Sequence, residues 1–265
     1  MNRPAEGRDR VTVRENPRIA IVGDSLASGL GVREPYGRQL GKLVAAEKIL
    51  MKAKASRMVD ECIGLVERLE AFQPDLVLIS TGQTEGAIHP PQWVKDLIAK
   101  HGPKSWQGVA GLDPRAVYSA EAATARRERL STMVKVLLKF AMIKLGGAVP
   151  RMDYEEYRVR FREFLDVMGD KGWPVIVAGV GMPPQLYFPG SRKSLTLIDR
   201  IQREEVAGRA NVVLLRTDEF VDMKVDVLAD HVHPTVKGHG DLARAHLARI
   251  DLVPRDASVR VSSGG

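Results

Sequence analysis

Short apolar runs alternate with segments of helical period along this chain, and that alternation constrains its fold more than any other feature. Ile19–Val22, Leu76–Ile79, Pro174–Ala178 and Val212–Leu215 are too short for helices and read as buried strands. Ile49–Ala55 reads as a further strand despite its lysines. Segments 37–48, 59–71, 153–170, 195–207 and 238–250 read as helices; in the second, Val59, Ile63, Val66 and Leu69 recur at a helical spacing. Strands that alternate with helices predict an α/β fold, a three-layer α/β/α sandwich around a central parallel sheet.

The 265 residues and 44% hydrophobic content suit one domain, expected over 18–254. Residues 1–17 are expected to form a flexible N-terminal segment and 255–265 a disordered tail. A helical insertion is expected over 86–150, opened by Pro90-Pro91 and the Gly102-Pro103 turn and closed by Gly146-Gly147 and Pro150. It carries Trp93, Trp106 and Tyr118, which suit a sugar or an acyl chain as well as they suit a core.

The net charge of +7 is concentrated in that insertion. Between Arg126 and Arg151 seven Lys or Arg face a single acid, Glu128, interleaved with Leu130, Met133, Val134, Leu137, Leu138, Phe140, Ala141 and Leu145. This reads as a basic amphipathic helix packed on its own domain. A lid, a membrane-surface contact, or a dock for an acidic carrier or phosphorylated substrate are the alternatives. No basic-aromatic motif accompanies the charge, so nucleic acid is not an expected partner. Neither is a metal or other cofactor, because the histidines lack ligand spacing. No stretch approaches the roughly 20 apolar residues of a transmembrane helix. The N-terminus lacks the apolar core of a signal peptide, and the single cysteine, Cys62, suits a reducing compartment as a core residue. The expected location is cytoplasmic.

Two blocks carry chemistry. Gly23-Asp24-Ser25-Leu26 follows the first buried strand, where the chain must turn into a helix. That geometry sets the Ser25 hydroxyl at the carboxyl edge of the sheet and its backbone N–H at a helix start, where donors point outward. Asp24 is expected to stabilise the turn, and Ser28 to cap or pack. Far along the chain, Asp230-His231-Val232-His233-Pro234 places a carboxylate three residues before an imidazole. Serine, imidazole and carboxylate together suit nucleophilic acyl chemistry. Gly82-Gln83-Thr84-Glu85 ends another strand at the same edge, where sites form in open α/β sheets.

The first and last of these blocks resemble those of the SGNH, or GDSL-type, hydrolases, with order and separation matching over roughly residues 18–250. The resemblance implies Ser25 as nucleophile, His233 as general base and then acid, and Asp230 as its orienting carboxylate. His231 is then a solvated neighbour and His239 a structural histidine. The third family block is Gly-x-Asn-Asp, whose Asn donates to the oxyanion; here Thr84 stands at that position, beside Gln83. The second-block glycine has no direct match, and the Ser56 N–H is the candidate donor in its place. The implied reaction is hydrolysis of an acylated small molecule or sugar. Acyl transfer from acyl-CoA or acyl carrier protein to a sugar or metabolite hydroxyl is the alternative, and a non-catalytic binding protein on the same fold is the third. In its missing third-block Asn and its long insertion, the chain is also similar in organisation to an actinobacterial branch that octanoylates glucosylglycerates.

Overall fold

The computed structural model describes residues 9–102, 122–147, 149–185, 188–228 and 230–255. In chain order the elements are β1 (Val11–Arg14), β2 (Arg18–Gly23), α1 (Ser25–Ser28), α2 (Tyr36–Leu43), β3 (Lys48–Ala53), α3 (Val59–Ile63), α4 (Val66–Phe72), β4 (Leu76–Ser80) and α5 (Gln83–Gly86). They continue with α6 (Gln92–His101), α7 (Ala122–Gly146), α8 (Tyr154–Asp170), β5 (Val175–Gly179), α9 (Ser191–Val206), β6 (Val212–Arg216), α10 (Thr217–Phe220), α11 (Val236–Leu247) and β7 (Ile250–Val253).

The central sheet has five parallel strands in the order β3-β2-β4-β5-β6. Alternation along each strand sends side chains to opposite faces. Ile19, Ile21, Leu76 and Leu78 pack with Tyr36, Leu40, Leu242 and Ala243 of α2 and α11. Ala20, Val22, Val77 and Ile79 pack with Cys62, Leu69, Phe161, Phe164 and Ile198 on the other face. The result is the expected three-layer α/β/α sandwich. β3 is an edge strand, which explains its lysines: Lys48 lies exposed and Lys52 half-buried.

Three expectations differ from the structure in detail. The segment expected to be flexible contains β1, which pairs in parallel with β7 and buries Val11 and Val13 in the core. The last helix therefore stops at Leu247, because Ile250 is used in that pairing. The helix read over 59–71 is two, α3 and α4, parted at Gly64 and Leu65; glycine is a poor helix former. The tail from 256 onward lies outside the described residues.

The insertion leaves and re-enters the domain at one place. His89 and Val149 exchange backbone hydrogen bonds of 2.9 and 3.1 Å, and the Arg151 N–H donates to the Glu85 carbonyl at 3.0 Å. Between them α7 is a helix, as its pattern predicts, and the face it packs mixes apolar and basic side chains. Val94 and Ile98 of α6 meet Leu138 and Met142. On the same inward side Lys135 and Lys139 are buried, with the Lys139 ammonium 5.1 Å from the centre of the Phe188 ring. Leu130, Met133, Val134, Leu137 and Phe140 face outward and are exposed. The long aliphatic stems of the inward lysines supply apolar contact that charge counting overlooks. Trp106 and Tyr118 lie outside the described residues. Among the described residues no helix is long and apolar enough to cross a membrane.

Candidate active site

Strand order reverses between β2 and β4: the chain moves outward from β2 to β3, then returns to β4 and continues the other way. Crevices open at the carboxyl ends of the strands at such a switch point. Ser25 follows β2 there, and Gly82–Thr84 follows β4.

The turn that presents Ser25 is built around Asp24 and Gly23. Gly23 has φ +140°, and a Cβ on it would lie 2.0 Å from the Ser80 carbonyl oxygen. Only glycine lets β2 and β4 approach this closely. Asp24 caps α1: its Oδ1 accepts from the Leu26 N–H at 3.0 Å and from the Ser80 hydroxyl at 2.9 Å. Burial raises its carboxyl from 3.8 to about 6, against the hydrogen bonds from Ser80 and Leu26 and the charge of His233. Asp24 thus has the expected turn-stabilising position, and the charge of His233, distant in sequence, acts on it. Ser25 is half-buried, and neither its hydroxyl nor its N–H has a hydrogen-bond partner among the described residues. The Ser28 hydroxyl donates to the Ser25 carbonyl at 3.1 Å.

His233 and Asp230 form the other half. His233 Nδ1 lies 2.7 Å from Asp230 Oδ2, and Asp230 Oδ1 accepts the Val232 and His233 N–H groups at 3.0 Å each. Burial alone would raise the Asp230 carboxyl, but the His233 ring and these N–H groups outweigh it and hold it below the usual value. A carboxylate accepts only, so Nδ1 carries a proton, and in the neutral ring Nε2 presents a lone pair. That Nε2 is buried and makes no hydrogen bond among the described residues. The loop is clamped on both sides: the Leu228 N–H donates to the His233 carbonyl at 2.7 Å, and the Thr235 N–H donates to the Asp226 carbonyl at 2.8 Å. His231 sits in the left-handed region at φ 57°, and burial lowers its imidazole against the pull of Asp230. His239 is buried in α11 with Nδ1 accepting from the Tyr36 N–H at 3.2 Å, a structural position. Burial, then the charge of His233, lower it to about 4.

The oxyanion candidates follow β3 and β4, the two strands that flank β2. Ser56, in the loop after β3, has φ 63°, the left-handed conformation that glycine adopts most readily, and it lies exposed. Thr84 is buried in the short helix α5. The Gln83 side chain reaches toward β5 and accepts the Gly181 N–H on Oε1 at 3.0 Å.

Sequence reasoning missed the frame that holds these loops. Glu85 is fully buried; one oxygen accepts from the Val59 N–H and the other from the Gly82 N–H, each at 2.7 Å. Burial, then the Asp24 charge, raise its carboxyl from 4.5 to about 7. Its spacing from Gly82 is that of a helix-capping glutamate, the one signal that could have marked it. Gln202 of α9 donates to the Thr81 carbonyl and the Tyr157 hydroxyl at 2.9 Å each and accepts from the Val180 N–H at 3.3 Å. Nothing in the sequence around Gln202 announces that role.

No protein-family model and no curated protein sequence matches the chain. Solved structures do. The acetylxylan esterase Axe2 from Geobacillus stearothermophilus superposes with a TM-score of 0.54 at 16% identity, over 89% of this chain and 95% of that one. A variant of the same enzyme, described as an acetyl-xylooligosaccharide esterase, gives 0.55 at 15% identity over the same shares. LAE5, an alpha/beta hydrolase enzyme from the metagenome of Lake Arreo, Spain, gives 0.52 at 14% identity, over 92% of this chain and 97% of that one. The chain shares the three-layer α/β/α fold of these enzymes.

Proposed function

We propose that the chain is a serine-dependent ester hydrolase acting on an acylated small molecule or sugar. One observation carries this reading: the 2.7 Å Asp230–His233 contact leaves an imidazole nitrogen with no hydrogen-bond partner among the described residues, on a ring whose charge acts on Asp24, the residue before Ser25. Structural kinship with esterases whose substrates are acetylated sugars supports the same substrate class.

In this reaction His233 Nε2 takes the proton from Ser25 Oγ as that oxygen bonds to the ester carbonyl carbon. The negative charge that develops on the carbonyl oxygen is met by the Ser25 and Ser56 N–H groups and the Thr84 hydroxyl. His233 returns the proton to the leaving alkoxide, and the acyl group remains on Ser25. Water then attacks the acyl-enzyme and gives a proton to Nε2, and that proton returns to Ser25 Oγ as the acid departs. Asp230 holds the ring in the required tautomer and stabilises its cation. Hydrogen-bond distances between nucleophile and base tighten in the substrate complex, so the open Nε2 suits the free enzyme.

Intact mass spectrometry after fluorophosphonate treatment tests this directly. Wild type gains one adduct, Ser25→Ala gains none, and wild type alone turns over p-nitrophenyl acetate. Absence of both labelling and turnover overturns the reading in favour of a binding protein. Acyl-enzyme that discharges to a sugar hydroxyl faster than to water replaces hydrolysis with acyl transfer.

A further inference from the structure

A cavity of about 490 Å³ opens at the amino edge of the sheet, away from Ser25. It is lined by residues of β1 and by those that enter β2, β4 and β5. β2 spans six residues, so about 20 Å of strand separates this cavity from the catalytic rim. Its wall carries four cations, Arg14, Arg18, Lys171 and Arg255, against one carboxylate, Asp75.

The partners of these groups divide them into two sets. Lys171 and Arg255 pair with Glu70 and Glu47, each at 2.6 Å. Arg14 and Arg18 make no ion pair among the described residues. Asp75 spends Oδ2 on the Arg18 backbone N–H at 2.9 Å rather than on a guanidinium. The Arg18 guanidinium lies 4.8 Å from the centre of the Phe72 ring, and its Nε is buried without a hydrogen-bond partner. An aromatic face orients a guanidinium without using its donors. The Arg18 Nη groups donate to nothing among the described residues, and a pair of such donors is how arginine receives oxyanions in a bidentate manner. Trp173 provides an apolar wall on the same cavity.

We propose that this cavity is a second ligand site, one that takes the phosphate group of a small phosphorylated molecule between Arg14 and Arg18. Lys171 and Arg255 raise the positive potential around it, and a phosphate dianion gains more from that field than a single carboxylate does. The site is independent of the hydrolase reading.

Isothermal titration calorimetry with inorganic pyrophosphate, and with citrate as the carboxylate control, tests the site on wild type, Arg14→Gln and the Arg14→Gln/Arg18→Gln double variant. Wild type should bind pyrophosphate saturably at one site. Arg14→Gln, an exposed change that leaves the Arg18–Phe72 contact in place, should weaken it about tenfold, the effect of one charge-assisted hydrogen bond, and the double variant more. Equal affinity in wild type and Arg14→Gln overturns the assignment, as does the absence of binding to wild type. Citrate bound more tightly than pyrophosphate overturns its phosphate specificity.

Discussion

Glu85 accepts the Val59 N–H at 2.7 Å and so fastens the helix start that follows β3 to the end of β4. Its second oxygen on the Gly82 N–H makes one buried carboxylate the common anchor of the two loops that carry Ser56 and Thr84. A weakening of this anchor should therefore reach the oxyanion region without touching Ser25 or His233.

The anchor also has a pH signature. A carboxyl raised on folding favours the folded state at low pH, and its contribution is lost as pH rises from about 4.5 to about 7 for Glu85 and from 3.8 to about 6 for Asp24. His239 and His246 act the other way: both are lowered from 6.5 to about 4, chiefly by burial, so their contribution is lost as pH falls through that window. The two effects oppose each other, and wild-type stability should vary little between about pH 4.5 and 6.5. Glu85→Gln removes one of the two carboxyls and leaves Asp24 alone against the two histidines. Urea unfolding across this range should show a steeper loss on acidification in the variant, together with a cost of about 1–3 kcal/mol for the bond its amide cannot accept.

Ser25→Ala should abolish ester turnover and leave stability within about 0.5 kcal/mol of wild type, since the half-buried hydroxyl holds no hydrogen bond among the described residues. Asp230→Asn keeps an oxygen for the Val232 and His233 N–H groups but frees the ring to take the wrong tautomer. A kcat loss of up to about 10⁴ at nearly unchanged Tm is expected. Steady-state kinetics beside thermal unfolding separate this from simple misfolding.

Thr84→Val preserves shape and removes the hydroxyl. If that hydroxyl meets the oxyanion, kcat should fall by about 10², with little change in KM. An unchanged kcat would remove Thr84 from the catalytic machinery and leave the two backbone N–H groups as the only donors.

Gly23→Ala should unfold or severely destabilise the protein, by about 3 kcal/mol or more, because its Cβ would sit 2.0 Å from the Ser80 oxygen in a backbone region closed to alanine. Denaturant titration checks this, and a variant that folds normally would show that β2 and β4 can part at the site.

The architecture was legible because its signals are local. Runs such as Ile19–Val22 and Leu76–Ile79 announce buried strands by composition alone, and the helices between them leave a parallel sheet as the natural arrangement. Ser25, Asp230 and His233 stood out because nucleophilic chemistry restricts residue type and spacing. Only the tertiary structure decided which face of α7 is inward: periodicity defines two faces, but Val94, Ile98 and Phe188 determine which one packs. It likewise decided that β1 and β7 pair, a contact between chain ends too short to show strand signals of their own. Glu85 and Gln202 were unreadable for a related reason: a buried polar side chain is defined by the distant backbone groups it satisfies, and those are brought to it only by folding. Local chemistry is written in the order of residues, whereas long-range partnership is settled by the packing that joins them.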